Sequence, residues 1–344
     1  MRLADWEDTV RLARQARLLG FIAHRLLERV DLWEAVPKQV RGHLQSAIHY
    51  SAHRVQAVQM ELAELEQALP PGMQVALLKG AAYLAQSMSF ARGRVPNDVD
   101  LLVRRSVLET AESALLAAGW KSEVSDAYDQ RYYREWSHEL PPMRFPGHAL
   151  EVDLHHTIAP ITGRARADDD LLFANPLPLA HSRYFVLAPQ DQIIHAAIHL
   201  FQDSDLGGRL RDLVDIDGLI RHHLADEAGW PVLRDRAERH GACPALWYAL
   251  HYCRSWLGTP VPGSFRLKAP PAWARAAMDW VFPRCCPARI PDRPPGVAER
   301  LAGSLGRIRY HYLRMPPALL ARHLCHKVWL TVRPRPAART DTMG

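Results

Sequence analysis

Long hydrophobic runs are missing from this chain of 344 residues. No apolar stretch approaches the roughly 18 to 20 residues that a membrane-spanning helix needs. The opening residues, with Asp5, Glu7 and Asp8, lack the basic-then-apolar order of a signal peptide. Both absences lead to the expectation of a cytoplasmic protein. Cysteine is sparse: five residues (Cys243, Cys253, Cys285, Cys286 and Cys325), all in the C-terminal third, match no zinc spacing and argue against a disulfide framework. Internal repeats and extended low-complexity tracts are also lacking. With 48% hydrophobic and 23% charged residues, the composition excludes disorder and fibrous repeats over the whole chain. The length allows one large domain or two ordinary ones, each with its own core.

The net charge of +6 is unevenly spread. Residues 289–344 hold eleven Arg or Lys against three Asp or Glu, which leaves the remainder slightly acidic. Such a basic end attracts anions or simply forms a solvated face whose long stems cover apolar surface, and the second is the simpler reading.

Along the chain, residues 1–69 read as a helical segment. Leu12, Ala16, Leu19 and Ile22, then Val55, Val58, Leu62, Leu65 and Leu69, recur at helical spacing, and no glycine falls between Gly42 and Gly72. Pro70, Pro71 and Gly72 break that pattern, and Val75 to Leu78 has the look of a short buried strand. An alanine-rich helix follows from Ala81 to Met88, then a loop over Arg92 to Pro96, then a strand over Asp98 to Val103. Ser106 and Glu109 suggest a capping box for a helix that Gly119 ends. Between Trp120 and His148 the pattern is irregular, with strands of an antiparallel sheet the expected content.

Leu150 to His155 alternates strictly, which puts Glu151, Asp153 and His155 on one face of a strand and Leu150, Val152 and Leu154 on the other. Helical spacing returns from Pro189 to about residue 257. Two proline-rich stretches, Pro260 to Pro271 and Pro283 to Pro295, read as linkers into a basic, partly amphipathic end. The domains expected are therefore 1–69, 70–188, 189–258 and 259–344.

The chemistry concentrates on two of these strands. Asp98 and Asp100 are two residues apart, so both carboxylates share one side, roughly 6.5 to 7 Å apart at their Cα atoms. Unpaired, they repel and resist burial, so something positive belongs beside them. Mg²⁺, which prefers hard oxygen ligands and is usually held by carboxylates together with substrate phosphates and water, is the natural candidate. Asp153, about 5 Å away on a neighbouring strand, would supply a third carboxylate. At Lys79-Gly80-Ala81 a strand gives way to a helix through glycine, an arrangement that can turn backbone N–H groups toward a phosphate.

The order of strand, glycine turn, helix, Asp-x-Asp strand and later single carboxylate resembles the DNA polymerase beta-like nucleotidyltransferase superfamily. More closely, Leu77 to Ala82, Arg94 ahead of Asp98 to Val103, Val152 to His155, Asp191 to His195 with His199, and Arg211 to Ile216 resemble a bacterial family of uncharacterised nucleotidyltransferases, over roughly residues 70–222. The resemblance implies an α+β fold, with a polymerase beta-like core of small mixed sheet and helices between a helical N-terminal segment and a mainly helical C-terminal domain. It implies Asp98, Asp100 and Asp153 as catalytic metal ligands for Mg²⁺, with Mn²⁺ as the alternative. Lys79, Gly80, Ala81, Arg94, His155 and Arg211 are the implied nucleotide-side residues.

The implied reaction is in-line transfer of a nucleoside monophosphate from an NTP, with ATP the expected donor, to an acceptor hydroxyl or phosphate, releasing pyrophosphate. A small molecule, a peptide or a protein could be the acceptor. Nucleic acid is disfavoured, because the core is not basic and carries no aromatic-basic stacking platform.

Plainer readings stand beside these. Ala81 occupies the place where the superfamily usually has Ser, so no hydroxyl is available there, which also suits a nucleotide-binding module without transfer. A phosphotransferase that moves the γ-phosphoryl group is the other rival. The Asp pair could serve only Arg92, Arg94 or Arg104, and Glu151 competes with Asp153 as third ligand. His195 and His199, four apart, can hold zinc, but the glutamate of a zincin helix is missing, and partly buried, hydrogen-bonded histidines are the simpler expectation. Arg211 and Asp215 make an intrahelical ion pair, and Cys285-Cys286 reads as surface or packing.

Overall fold

The structure is a computed structural model that describes residues 2–124 and 126–322. Cys325 and the last stretch of the basic end lie outside the described residues. Four helices open the chain: α1 (Leu3–Gln15), α2 (Leu19–Leu27), α3 (Val30–Glu34) and the long α4 (Lys38–Ala68). The first three and the start of α4 enclose a small core containing Val10, Ala13, Leu19, Ala23, Val40 and Leu44. Leu12, expected on the buried stripe, is exposed, because Val10 and Ala13 set the phase of α1. Farther on, Val58, Leu65 and Leu69 join the main core.

A seven-stranded mixed sheet forms the centre. Its strands are β1 (Ala76–Leu77), β2 (Asp98–Leu102), β3 (Lys121–Ser122), β4 (Met143–Arg144), β5 (Glu151–His155), β6 (Leu177–Pro178) and β7 (Phe185–Val186), in the order β3-β4-β5-β2-β1-β7-β6. The central strand β2 runs antiparallel to β1 and parallel to β5. Val99, Leu101, Val152 and Leu154 are fully buried on one face of this pair. At about 1.5–3 kcal/mol each for complete burial, they outweigh a repulsion of about 2 kcal/mol between two carboxylates some 7 Å apart near a protein surface. The apolar face therefore fixes the register, and a slip of one residue would send the acids into the core.

Between and after the strands come α5 (Lys79–Ala85), α6 (Leu108–Ala118), α7 (Ala127–Trp136) and α8 (Asp169–Ala174). Gly119, at φ +112°, caps α6 as the sequence suggests. The capping box at Ser106 does not form. A 3₁₀ turn over Arg105–Val107 comes first, so Ser106 lies inside it and α6 starts from Val107 without a side-chain cap. The irregular stretch 120–148 holds two short strands, as expected, but also α7. That helix buries none of its residues fully; its stripe is the half-buried aromatic row Tyr128, Tyr132 and Trp136, and Asp126 caps it by accepting from the Tyr128 and Asp129 backbone N–H groups.

Helices α9 (Pro189–Phe201), α10 (Leu210–His223), α11 (Gly229–Arg239), α12 (Cys243–Leu257), α13 (Ala272–Cys285) and α14 (Val297–Arg314) follow. Almost every side chain of α9 is buried. Its Asp191 pairs with Arg236 and lies 3.3 Å from His240 Nε2, which ties α9 to α11 and the turn after it. Pro283, expected in a linker, sits inside α13, whose Phe282 and Cys285 are buried in the main core together with Cys286 just after it. No helix among the described residues is long and apolar enough to cross a membrane.

Candidate active site

The β2–β5 pairing puts Asp98 opposite Glu151, Asp100 opposite Asp153 and Leu102 opposite His155. Asp98, Asp100 and Asp153 line a cleft of about 260 Å³ together with Lys79, Glu139 and Asp203. Glu151 is not on its wall: it is ion-paired with Arg144 at the sheet's rim, with 40% of its side chain exposed.

Asp100 is the most constrained of the three acids. The backbone N–H of Leu78, at the end of β1, donates to the Asp100 carbonyl at 3.0 Å, which brings the next residue, Lys79, alongside. Lys79 Nζ donates to Asp100 Oδ1 at 2.7 Å, and His155 Nε2 lies 3.0 Å from the same oxygen. Burial opposes ionisation of Asp100, but Lys79 and His155 outweigh it and hold its pKa below the usual carboxylate range. Reciprocally, burial works against the Lys79 charge, yet Asp100, Glu139 and Asp98 hold its pKa above the usual lysine range. Lys79 adopts φ +42°, a left-handed conformation uncommon for a residue with a side chain.

Asp98 and Asp153 lack such partners. Burial, reinforced by the Asp100 charge, pushes both of their pKa values up, Asp153 well above its ordinary value. Asp153 Oδ1 is buried and has no hydrogen-bond partner among the described residues. Ligand atoms of Asp100, Asp153 and His155 lie within 4.8 Å of one another. An unpartnered hard oxygen, raised pKa values on two of three acids and this spacing fit a divalent cation that favours oxygen ligands.

Glu139 and His138 were not legible as site residues. The segment that carries them pairs with the end of β5: Leu140 N–H donates to Leu154 O at 2.9 Å, His156 N–H donates to His138 O at 3.0 Å, and Glu139 bridges to His155. Asp203, just past α9, faces the same group; burial pushes its pKa up to about 6 against the pull of Arg314.

The cationic side is built differently. Arg94 forms an ion pair with Asp215, which also pairs with Arg211 at 2.8 Å. The glycine at position 80 has a visible steric purpose, since a Cβ there would come within 2.9 Å of Arg94 Nε. Gly80 and Ala81 are themselves buried and do not line the cleft, and the Ala81 methyl packs in the core. Arg211 lies off the acidic cleft and lines an adjoining cavity of about 430 Å³, whose wall shares Arg17, Arg94, Arg209 and Asp212 with it. Arg94 Nε and Arg211 Nε and Nη1 are buried without hydrogen-bond partners among the described residues. Burial, with Arg94 nearby, pulls the Arg211 pKa well below its ordinary value.

His195 and His199 are held neutral, first by burial and then by Lys79. Neither belongs to a metal-capable group among the described residues. Among the described residues His199 Nδ1 has no hydrogen-bond partner, so the expected hydrogen bond is not made at that nitrogen.

A strand pair carrying three acids beside a lysine and an arginine cavity is the setting in which the chain can be compared with known proteins. A family model described as uncharacterised nucleotidyltransferase matches residues 2–258. The chain belongs to that family. The match begins just before α1 and runs through α12, so the helical N-terminal segment, in which the sequence carries no recognisable motif, is part of the family's common body. No curated protein matches the chain closely.

Proposed function

We propose that this nucleotidyltransferase transfers a nucleoside monophosphate from an NTP, with ATP the expected donor, to an acceptor hydroxyl or phosphate and releases pyrophosphate. The observation that carries the reading is the in-register placement of Asp100 against Asp153 across β2 and β5, with Asp153 Oδ1 buried and unpartnered. A buried carboxylate oxygen without a donor is costly in a protein that only needs to fold.

Asp98, Asp100 and Asp153 would hold Mg²⁺ or Mn²⁺, and Asp153 rather than Glu151 is the third ligand because Glu151 is committed to Arg144. Bound there, a divalent ion supplies neutralisation of charge on the phosphorus oxygens and a lowered pKa for an attacking hydroxyl. The chain's own groups do the rest. His155 orients Asp100 through its Nε2 contact, and Lys79 keeps N–H donors beyond the one given to Asp100 for a phosphate oxygen. Arg94 and Arg211, with Arg17 and Arg209, line the adjoining cavity, where a phosphate tail would be bound. Gly80 serves by leaving Arg94 its place rather than by facing the phosphate itself.

The acceptor is a small molecule, a peptide or a protein. The test is incubation of the full chain with α- or γ-labelled NTPs, Mg²⁺ and lysate. Label from the α position on an acceptor, with pyrophosphate released, is expected. Transfer of γ label instead identifies a phosphotransferase, and nucleotide binding with no release identifies a binding module; either outcome rejects the proposal.

A further inference from the structure

We propose that His138, Glu139 and His155, with Asp203 at the edge, form a second cation site that takes a zinc-like first-row transition metal, separate from the oxygen ligands of the Asp98, Asp100 and Asp153 group. His138 Nε2 and His155 Nε2 each lie 3.4 Å from Glu139 Oε2, and His138 Nε2 lies 3.2 Å from Asp203 Oδ2. An ion held tetrahedrally at about 2.0–2.2 Å by nitrogen and oxygen sets neighbouring ligand atoms about 3.3–3.6 Å apart. The edges of the cluster already have close to that length.

The chemistry of the donors points the same way. Two imidazoles with carboxylates suit zinc, iron or manganese, whereas Mg²⁺ favours oxygen alone. The His155 side chain is fully buried and that of His138 is 4% exposed, while the Nδ1 atoms of both are buried without a hydrogen-bond partner among the described residues. Their Nε2 atoms instead converge on the carboxylates. The backbone pairing of residues 138–140 with the end of β5 fixes the two ligand segments against each other, so the cluster is organised by the sheet. Charge also favours a bound cation: the cleft wall carries seven carboxylates against five Lys or Arg side chains, with Lys79 paired to Asp100 and Arg314 to Asp203.

The two sites are linked through one ring. A metal at the second site takes the His155 Nε2 lone pair and thereby withdraws that nitrogen from Asp100 Oδ1, its present neighbour at 3.0 Å.

The test is a Co²⁺ titration of the chelator-stripped full chain, read by visible absorption. Wild type is expected to develop the intense d–d band of tetrahedral Co²⁺, saturating at one equivalent and resisting competition by excess Mg²⁺. The band should persist in Asp98→Asn, which disables the proposed transfer, and disappear in His138→Gln and Glu139→Gln. A wild type that gives only weak octahedral absorption overturns the proposal, as does a wild-type band in Glu139→Gln. Because His138 is buried, Glu139→Gln, on a less buried side chain, decides the matter if His138→Gln does not fold by circular dichroism. Persistence of the band in Asp98→Asn separates this proposal from the nucleotidyl-transfer reading, since either can fail alone.

Discussion

The acidic floor of the cleft and its arginine flank reach the same place by different means. The acids sit on β2 and β5, five-residue strands locked in register, where position follows from counting along the chain. The arginines come from the loop before β2 and from α10, and their positions depend on helices docking closely enough to hold that loop. Two glycines mark the docking. A Cβ at Gly20 in α2 would lie 2.5 Å from the Gly93 carbonyl oxygen, and one at Gly218 in α10 would lie 2.3 Å from Phe90 Cγ. The stretch carrying Phe90, Gly93 and Arg94 is thus held between α2 and α10. A floor set by sheet register tolerates little electrostatic comfort, whereas a flank set by packing tolerates little added volume.

The strongest way to break this comparison is Asp153→Asn. The side chain has an unpartnered oxygen and a pKa raised by burial and by Asp100, so removing its charge should leave the metal-free protein as stable as wild type or more so. The same change should cut kcat/KM by about a thousandfold, the loss of several kcal/mol of transition-state stabilisation. Thermal melting and steady-state kinetics read the two effects separately, and a large destabilisation with activity retained would reverse the roles assigned to floor and fold.

On the arginine flank the expected order is opposite. Gly20→Ala should cost about 1–3 kcal/mol of stability from overpacking, measured by denaturant unfolding, and raise the KM for nucleotide while changing kcat little. An unchanged stability would mean that α2 does not brace the loop. Gly80→Ala is the mildest test. The atom it meets is the flexible end of Arg94, so a stability loss below about 1 kcal/mol should accompany a several-fold weaker nucleotide affinity, read by calorimetry.

The same contrast explains what could be read from the sequence. The Asp-x-Asp spacing in the strand Asp98 to Val103 and the period-two alternation of Leu150 to His155 make both strands and their acidic faces legible, and Pro189 marks the start of α9. Glu139 and His138 were invisible, because they lie in a stretch without periodicity and reach the cleft only through pairing with the end of β5. Gly80 was noticed as a residue, but its steric service to Arg94 depends on a contact across fourteen positions that no local pattern encodes. Arg211 reads from the sequence as a nucleotide-side residue; it lines the cavity next to the acids and shares Asp215 with Arg94, a link across helices that no local pattern encodes. α7 is hard to see because its stripe is aromatic and only half-buried, Tyr128, Tyr132 and Trp136 standing among polar and charged residues.

The most direct measurement is anomalous diffraction from crystals of the full chain grown with Mn²⁺ and a non-hydrolysable NTP analogue. The account predicts a Mn²⁺ peak within about 2.0–2.3 Å of carboxylate oxygens of Asp100 and Asp153, the coordination range of hard divalent ions, with phosphate oxygens completing its shell. Nucleotide bound in the cleft with no ion between β2 and β5, or Mn²⁺ seated at Glu151 instead, would contradict it.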